Sequence, residues 1–130
     1  MDQAGVEPAV AAANEAIELR LAFGDRSDFE DAARGLVAPL SPELVAATDG
    51  RVVWDVSAYE FLDGDRPETV NPSLWRQAQL LRLHGLFEVV EGVYQVRGLD
   101  LSNMTIVEGE RGVLVIDPLI SAETAAAALA

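Results

Sequence analysis

The polypeptide holds a single histidine, His84, and no cysteine, so thiolate nucleophiles, thiolate metal ligands and disulfides are excluded at the outset. A catalytic zinc centre rests on three protein ligands, usually with at least two histidines among them, and one imidazole falls short of that set. A general base at His84 would need an orienting partner and a cleft, and the sequence shows neither. Its place before Gly85, at the end of a helical run, reads instead as a cation at a helix C-terminus. All nine basic residues are arginine, which removes Schiff-base chemistry and the phosphate-gripping lysine. Two further polar residues stand at the ends of strand-like runs. Asp117 closes the apolar run Val113–Ile116 and by itself reads as a plain strand-end turn residue. Asn103 opens an earlier strand-like run, where by itself it reads as a cap or turn residue bonding its own backbone. Neither is read as a metal ligand.

Trp54, Trp75, Phe87 and Tyr94 would suit a slot for an apolar chain, although aromatics spread through ordinary elements more often serve the core. Arg97 and Asp100 are spaced to pair across a turn, and such a surface pair adds only ~0–1 kcal/mol. Arg76 would reach an anion, but reads better as a solvated helix-surface residue. Twenty-two acids against nine bases give a net charge of −13, spread along the chain, which argues against nucleic-acid and anionic-membrane binding. The opening Met1–Glu7 has neither a positive nor an apolar signal region, and no later stretch reaches the ~18 apolar residues of a membrane span. The expectation is a soluble, non-exported, cytoplasmic product.

Those residues must be positioned by elements that the patterning outlines. Pro8 opens a helix whose Val10, Ala13, Ile17 and Leu21 recur at helical spacing until Phe23-Gly24. Ser27-Asp28-Phe29-Glu30 has the form of a capping box for a short helix ending at Gly35. From Leu36 to Thr69, prolines and Asp-Gly pairs fall too close together for long elements, which predicts an irregular arm with one small strand at Arg51–Trp54. Asn71-Pro72 starts a helix with Leu74, Ala78 and Leu81 as its buried stripe, running to about Leu83. Two hairpins follow, 86–90 with 93–97 and 104–108 with 113–117. The last strand is apolar on both faces and predicts burial between helices. Ser121 then caps an alanine-rich helix, after which a parallel strand would ordinarily return and none remains.

Several strings are long and unusual. Asn71-Pro72-Ser73-Leu74-Trp75-Arg76-Gln77-Ala78-Gln79-Leu80, His84-Gly85-Leu86-Phe87-Glu88-Val89, Gly92 through Gly109, and Val115-Ile116-Asp117-Pro118-Leu119 resemble the segment that introduces the catalytic domain of alkyl sulfatases in the metallo-β-lactamase superfamily. Asp28-Phe29-Glu30-Asp31-Ala32 and Gly50–Asp55 are similar to that family's leader region. The resemblance implies a hydrolase converting alkyl sulfate esters to alcohol and sulfate, with two zinc ions activating water. It implies that the ions are held by a His-x-His-x-Asp-His loop after the strand ending at Asp117, that Asp117 anchors that loop from behind and Asn103 lies beside the substrate approach, and that a dimerisation domain and a lipid-carrier-like domain follow Ala130.

The expected fold is therefore α/β: N-terminal helices and an extended arm plus the first strands of a metallo-β-lactamase-like αββα sandwich, left incomplete. Residues 1–85 would be the leader region and 86–130 the start of the catalytic domain. Alone, the chain would hold no zinc and catalyse nothing, its uncovered apolar faces leaving it marginal, sticky or partly molten. Two alternatives stay open, a non-catalytic interaction module and a piece of another hydrolase of the same superfamily, such as a lactonase.

Overall fold

A computed structural model describes residues 7–41 and 43–130. Helix α1 (Pro8–Arg20) opens on proline, whose missing N–H has no intrahelical acceptor to lose at that position. The face α1 turns inward is not the aliphatic stripe. Asn14 is its buried residue, with Nδ2 donating to the Glu68 carbonyl at 2.8 Å, while Val10, Ala13 and Leu21 are exposed and Ile17 is half-buried. A buried amide must find a partner, so this one bond outweighs the weak apolar contrast of an alanine-rich helix. In α2 (Ser27–Ala33) the expected capping box does not form. Asp25 stands in for it, its Oδ1 accepting from the Ser27 amide at 2.9 Å.

The stretch read as an irregular arm holds more structure than its punctuation suggests. It contains β1 (Leu36–Ala38), β2 (Leu44–Ala46), β3 (Val52–Asp55) and a 3-10 helix, Ser57–Asp63. The small strand at 51–54 is there as β3, paired antiparallel with β2 through Val45 opposite Trp54. Strand β1 pairs far along the chain, Leu36 opposite Phe87. Three-residue strands show no period of their own, so only their partners reveal them.

Helix α3 (Pro72–Leu81) is capped as its sequence predicts: Asn71 Oδ1 accepts from the amides of Ser73 at 2.9 Å and Leu74 at 3.4 Å. Its packed face is different. Leu74 and Leu81 are exposed, and only Ala78 of the expected stripe is half-buried. Polar side chains with reach make the contacts instead, Gln79 Nε2 donating to the Leu62 carbonyl at 2.8 Å.

Strands β4 (Gly85–Val90), β5 (Val93–Arg97), β6 (Met104–Gly109) and β7 (Gly112–Ile116) form the two expected hairpins in one antiparallel sheet of order β1-β4-β5-β6-β7. Burial of β7 between helices is not met within the described residues, in keeping with the uncovered apolar faces expected of this chain by itself. The strand lies at an edge of the sheet, and all five of its residues are exposed. Unbroken apolarity leaves both of its faces uncovered among the described residues. Helix α4 (Ala122–Ala128) begins with a capping box formed by Ser121 and Thr124. The core joins Val45, Val96, Leu99 and Met104, with Trp54, Ile106, Leu119 and Ala125 packed against it. The molecule thus combines helices with an antiparallel sheet, and no helix of the described residues is long and apolar enough to cross a membrane.

Candidate functional site

The antiparallel register brings two connections to one end of the sheet. Val96 faces Met104 and Thr105 faces Ile116, so Gly98–Asn103 and Asp117–Ser121 emerge side by side. Asn103 and Asp117, the two residues singled out by sequence, therefore share that end, and both are exposed.

Asn103 sits on the rim of an apolar recess of about 290 Å³ whose walls include Trp54, Tyr59, Leu62, Leu81 and Leu101. The indole N–H of Trp54 donates to the Gly98 carbonyl at 3.1 Å, which satisfies its one polar group. Gly98 has φ +76°, and a Cβ there would lie 2.6 Å from the Cβ of His84, so the loop forms only with glycine. The other aromatics are dispersed: Phe87 is in the core beneath the Arg97 guanidinium at 4.4 Å, and Trp75 packs beside Phe61 with ring centroids 6.0 Å apart. Of the four considered together, Trp54 alone lines the recess.

Asp100 is the residue that sequence reading undervalued. It is only 9% exposed, yet it makes no ion pair with Arg97, whose Nε donates to Gln95 Oε1 at 3.0 Å. The Asp100 carboxylate instead accepts three hydrogen bonds: Oδ1 from the Ser102 amide at 2.7 Å, and Oδ2 from the Ile120 amide at 2.8 Å and Thr124 Oγ1 at 2.9 Å. The first is a local Asx turn, legible in Asp-x-Ser. The other two span twenty or more residues and leave no mark in the sequence. Just before Ile120 the chain takes an unusual path, with Asp117 at φ +52° and Leu119 at φ +72°. A left-handed conformation costs a non-glycine residue roughly 1–2 kcal/mol, and a residue before proline normally prefers extended backbone. Packing of Leu119 against the core offsets part of that cost.

His84 lies past the end of α3 and does not cap it, since the Arg82 amide already closes the helix on the Ala78 carbonyl. Its Nδ1 is buried without a hydrogen-bond partner, and the residue lines a cleft of about 400 Å³ beside Arg26 and Arg82. Arg76 is not a solvated surface residue. Its Nε donates to Asp28 Oδ2 at 2.9 Å, its Nη2 to Asp28 Oδ1 at 2.6 Å and to the Asp25 carbonyl, and its Nη1 to the Phe23 carbonyl at 3.0 Å. These bonds hold the Asp28 carboxyl below its ordinary range, against the opposing effect of burial. Among the described residues, no group of three or more His, Cys, Asp or Glu side chains is placed to hold a metal ion. The donors present do not fit a zinc pair.

No family model matches the chain. Individual relatives do. A linear primary-alkylsulfatase from Pseudomonas sp is 53% identical over 93% of the chain and 18% of its own length. The alkyl/aryl-sulfatase BDS1 of Saccharomyces cerevisiae is 52% identical over 92% of the chain and 19% of its own length. An (R)-specific secondary-alkylsulfatase from Pseudomonas sp is 53% identical over 99% of the chain and 20% of its own length. The solved structure of the stereoselective inverting sec-alkylsulfatase Pisa1 from Pseudomonas sp superimposes with a TM-score of 0.88 at 53% identity, covering 98% of this chain and 20% of that one. The chain spans about one fifth of the length of the relatives it matches. By sequence and by fold, it belongs with the alkylsulfatases.

Proposed function

We propose that this chain supplies one part of a zinc-dependent sulfuric ester hydrolase that converts alkyl sulfate esters to alcohol and inorganic sulfate, and that alone it turns over no substrate. The observation carrying this reading is the 53% identity to a secondary-alkylsulfatase across 99% of the chain. Zinc, where the complete enzyme binds it, would lower the pKa of a bound water enough to generate hydroxide near neutral pH. Ligands for it would come from sequence outside these 130 residues, as would a dimer interface. Residues 1–85 would serve as a leader region and 86–130 as the start of the catalytic domain. This chain's own contribution is the sheet end described above and its apolar recess. Trp54, Tyr59 and Leu101 would shelter part of an alkyl tail, at ~0.8 kcal/mol for each methylene removed from water.

The test is a chimera in which this chain replaces the matching segment of the (R)-specific secondary-alkylsulfatase, with sulfate release from alkyl sulfates as the readout. The chimera is expected to hydrolyse them and to lose that activity on chelation of zinc, while the 130-residue chain alone releases none. A folded chimera without turnover would overturn the assignment, and turnover by the short chain would overturn its dependence on further sequence.

A further inference from the structure

We propose that Asp100 is a positioning residue that sets the conformation of the Asp117–Ile120 turn, and so the placement of Asp117 at the end of the sheet. The part of this inference that concerns turnover rests on the sulfatase reading; the part that concerns the turn does not.

Three observations converge. The turn carries two non-glycine residues at positive φ, Asp117 and Leu119, a conformation that persists only where surrounding structure over-determines it. Asp117 is exposed and precedes a proline, so its own side chain and sequence context do not enforce that shape. The restraint comes from outside the turn: Asp100 Oδ2 accepts from the Ile120 amide at 2.8 Å and from Thr124 Oγ1 at 2.9 Å. Thr124 is 1% exposed and belongs to the first turn of α4, where its hydroxyl also reaches back to Ser121. One carboxylate thereby links the β5–β6 connection, the strained turn and the start of α4. Its other oxygen holds the Ser102 amide at 2.7 Å, next to Asn103. An ionised carboxylate suits this role because it offers only acceptors to three converging donors, and bonds to it are stronger than neutral ones. Asparagine would turn one of those acceptors into a donor facing donors.

The first experiment measures amide hydrogen exchange in the 130-residue chain. Asp100→Asn is expected to speed exchange at Ile120 and Ser102 by about tenfold or more, leaving the β5–β6 ladder amides unchanged. Thr124→Val should act in the same direction at Ile120, and Thr124→Ser, which keeps the hydroxyl, should restore protection. An unprotected Ile120 amide in the unmodified chain, equal exchange in the Asn variant, or a uniform rise across the sheet overturns the clasp. The second experiment places the same variants in the chimera. Asp100→Asn and Thr124→Val are expected to lower kcat by about tenfold with KM within about twofold, and Thr124→Ser to retain kcat. An active chimera indifferent to these changes refutes the positioning role in catalysis while leaving the family assignment intact. A folded, inactive chimera refutes the sulfatase reading and with it the catalytic role, while the exchange result still decides the clasp.

Discussion

Buried or half-buried polar side chains organise this chain at points where its aliphatic residues do not. Arg76 illustrates the physics: its planar fork gathers the Asp28 carboxylate and the Phe23 and Asp25 carbonyls, tying the loop after α1 and the start of α2 to α3. Asp28 is held below its ordinary value of 3.8, chiefly by the Arg76 hydrogen bond. A depressed folded value means that the ionised carboxylate adds stability above the unfolded value and that this contribution is lost as pH falls through the folded one. Arg76→Ala should therefore lower the urea midpoint at neutral pH. It should also flatten the decline expected of the unmodified chain as pH falls below the ordinary value of 3.8 and through the lowered folded one. Parallel pH profiles for the two proteins would show that the pair contributes nothing. Arg76 was legible in sequence as a helix-surface cation; its fixed partners were not, because they lie about fifty residues away.

Among the elements, α3 shows how far local signals carry. Asn71-Pro72 announces its start, and the Asn71 side chain caps two amides there. Asn71→Ala should destabilise the chain by about 1 kcal/mol, read from denaturant midpoints, with an unchanged midpoint contradicting the cap's role. The choice of face was another matter. Leu74 and Leu81 fall on a helical stripe but remain exposed, since the neighbours that α3 meets offer carbonyls and carboxylates to Arg76 and Gln79 instead. The same distinction separates the two hairpins, whose turns and alternation were readable, from β1, whose partner β4 lies some fifty residues on.

For the whole molecule, the consequential feature is β7. Val113, Leu114 and Ile116 are each more than half exposed on a strand whose outer edge is unpaired among the described residues, and such a surface invites further pairing or apolar contact. The chain should bind an apolar-surface dye and gain average mass with concentration in sedimentation, despite its net charge of −13. Leu114→Lys with Ile116→Lys should reduce both effects and barely change the melting temperature, because neither side chain contributes to the core. A chain that binds no dye and keeps the monomer mass at every concentration would contradict this.

Sequence alone determined the composition-limited chemistry, the helix starts, the two hairpins and the family resemblance, since each depends on residue type or on neighbours a few positions apart. It also placed Asn103 and Asp117 at strand ends. Tertiary structure decided that the strand ends meet, that Trp54 and not the other aromatics lines the recess, and that Asp100 bonds Ile120 and Thr124 in preference to Arg97. A carboxylate takes whichever donors the fold brings within about 3 Å, and sequence spacing does not specify which those are.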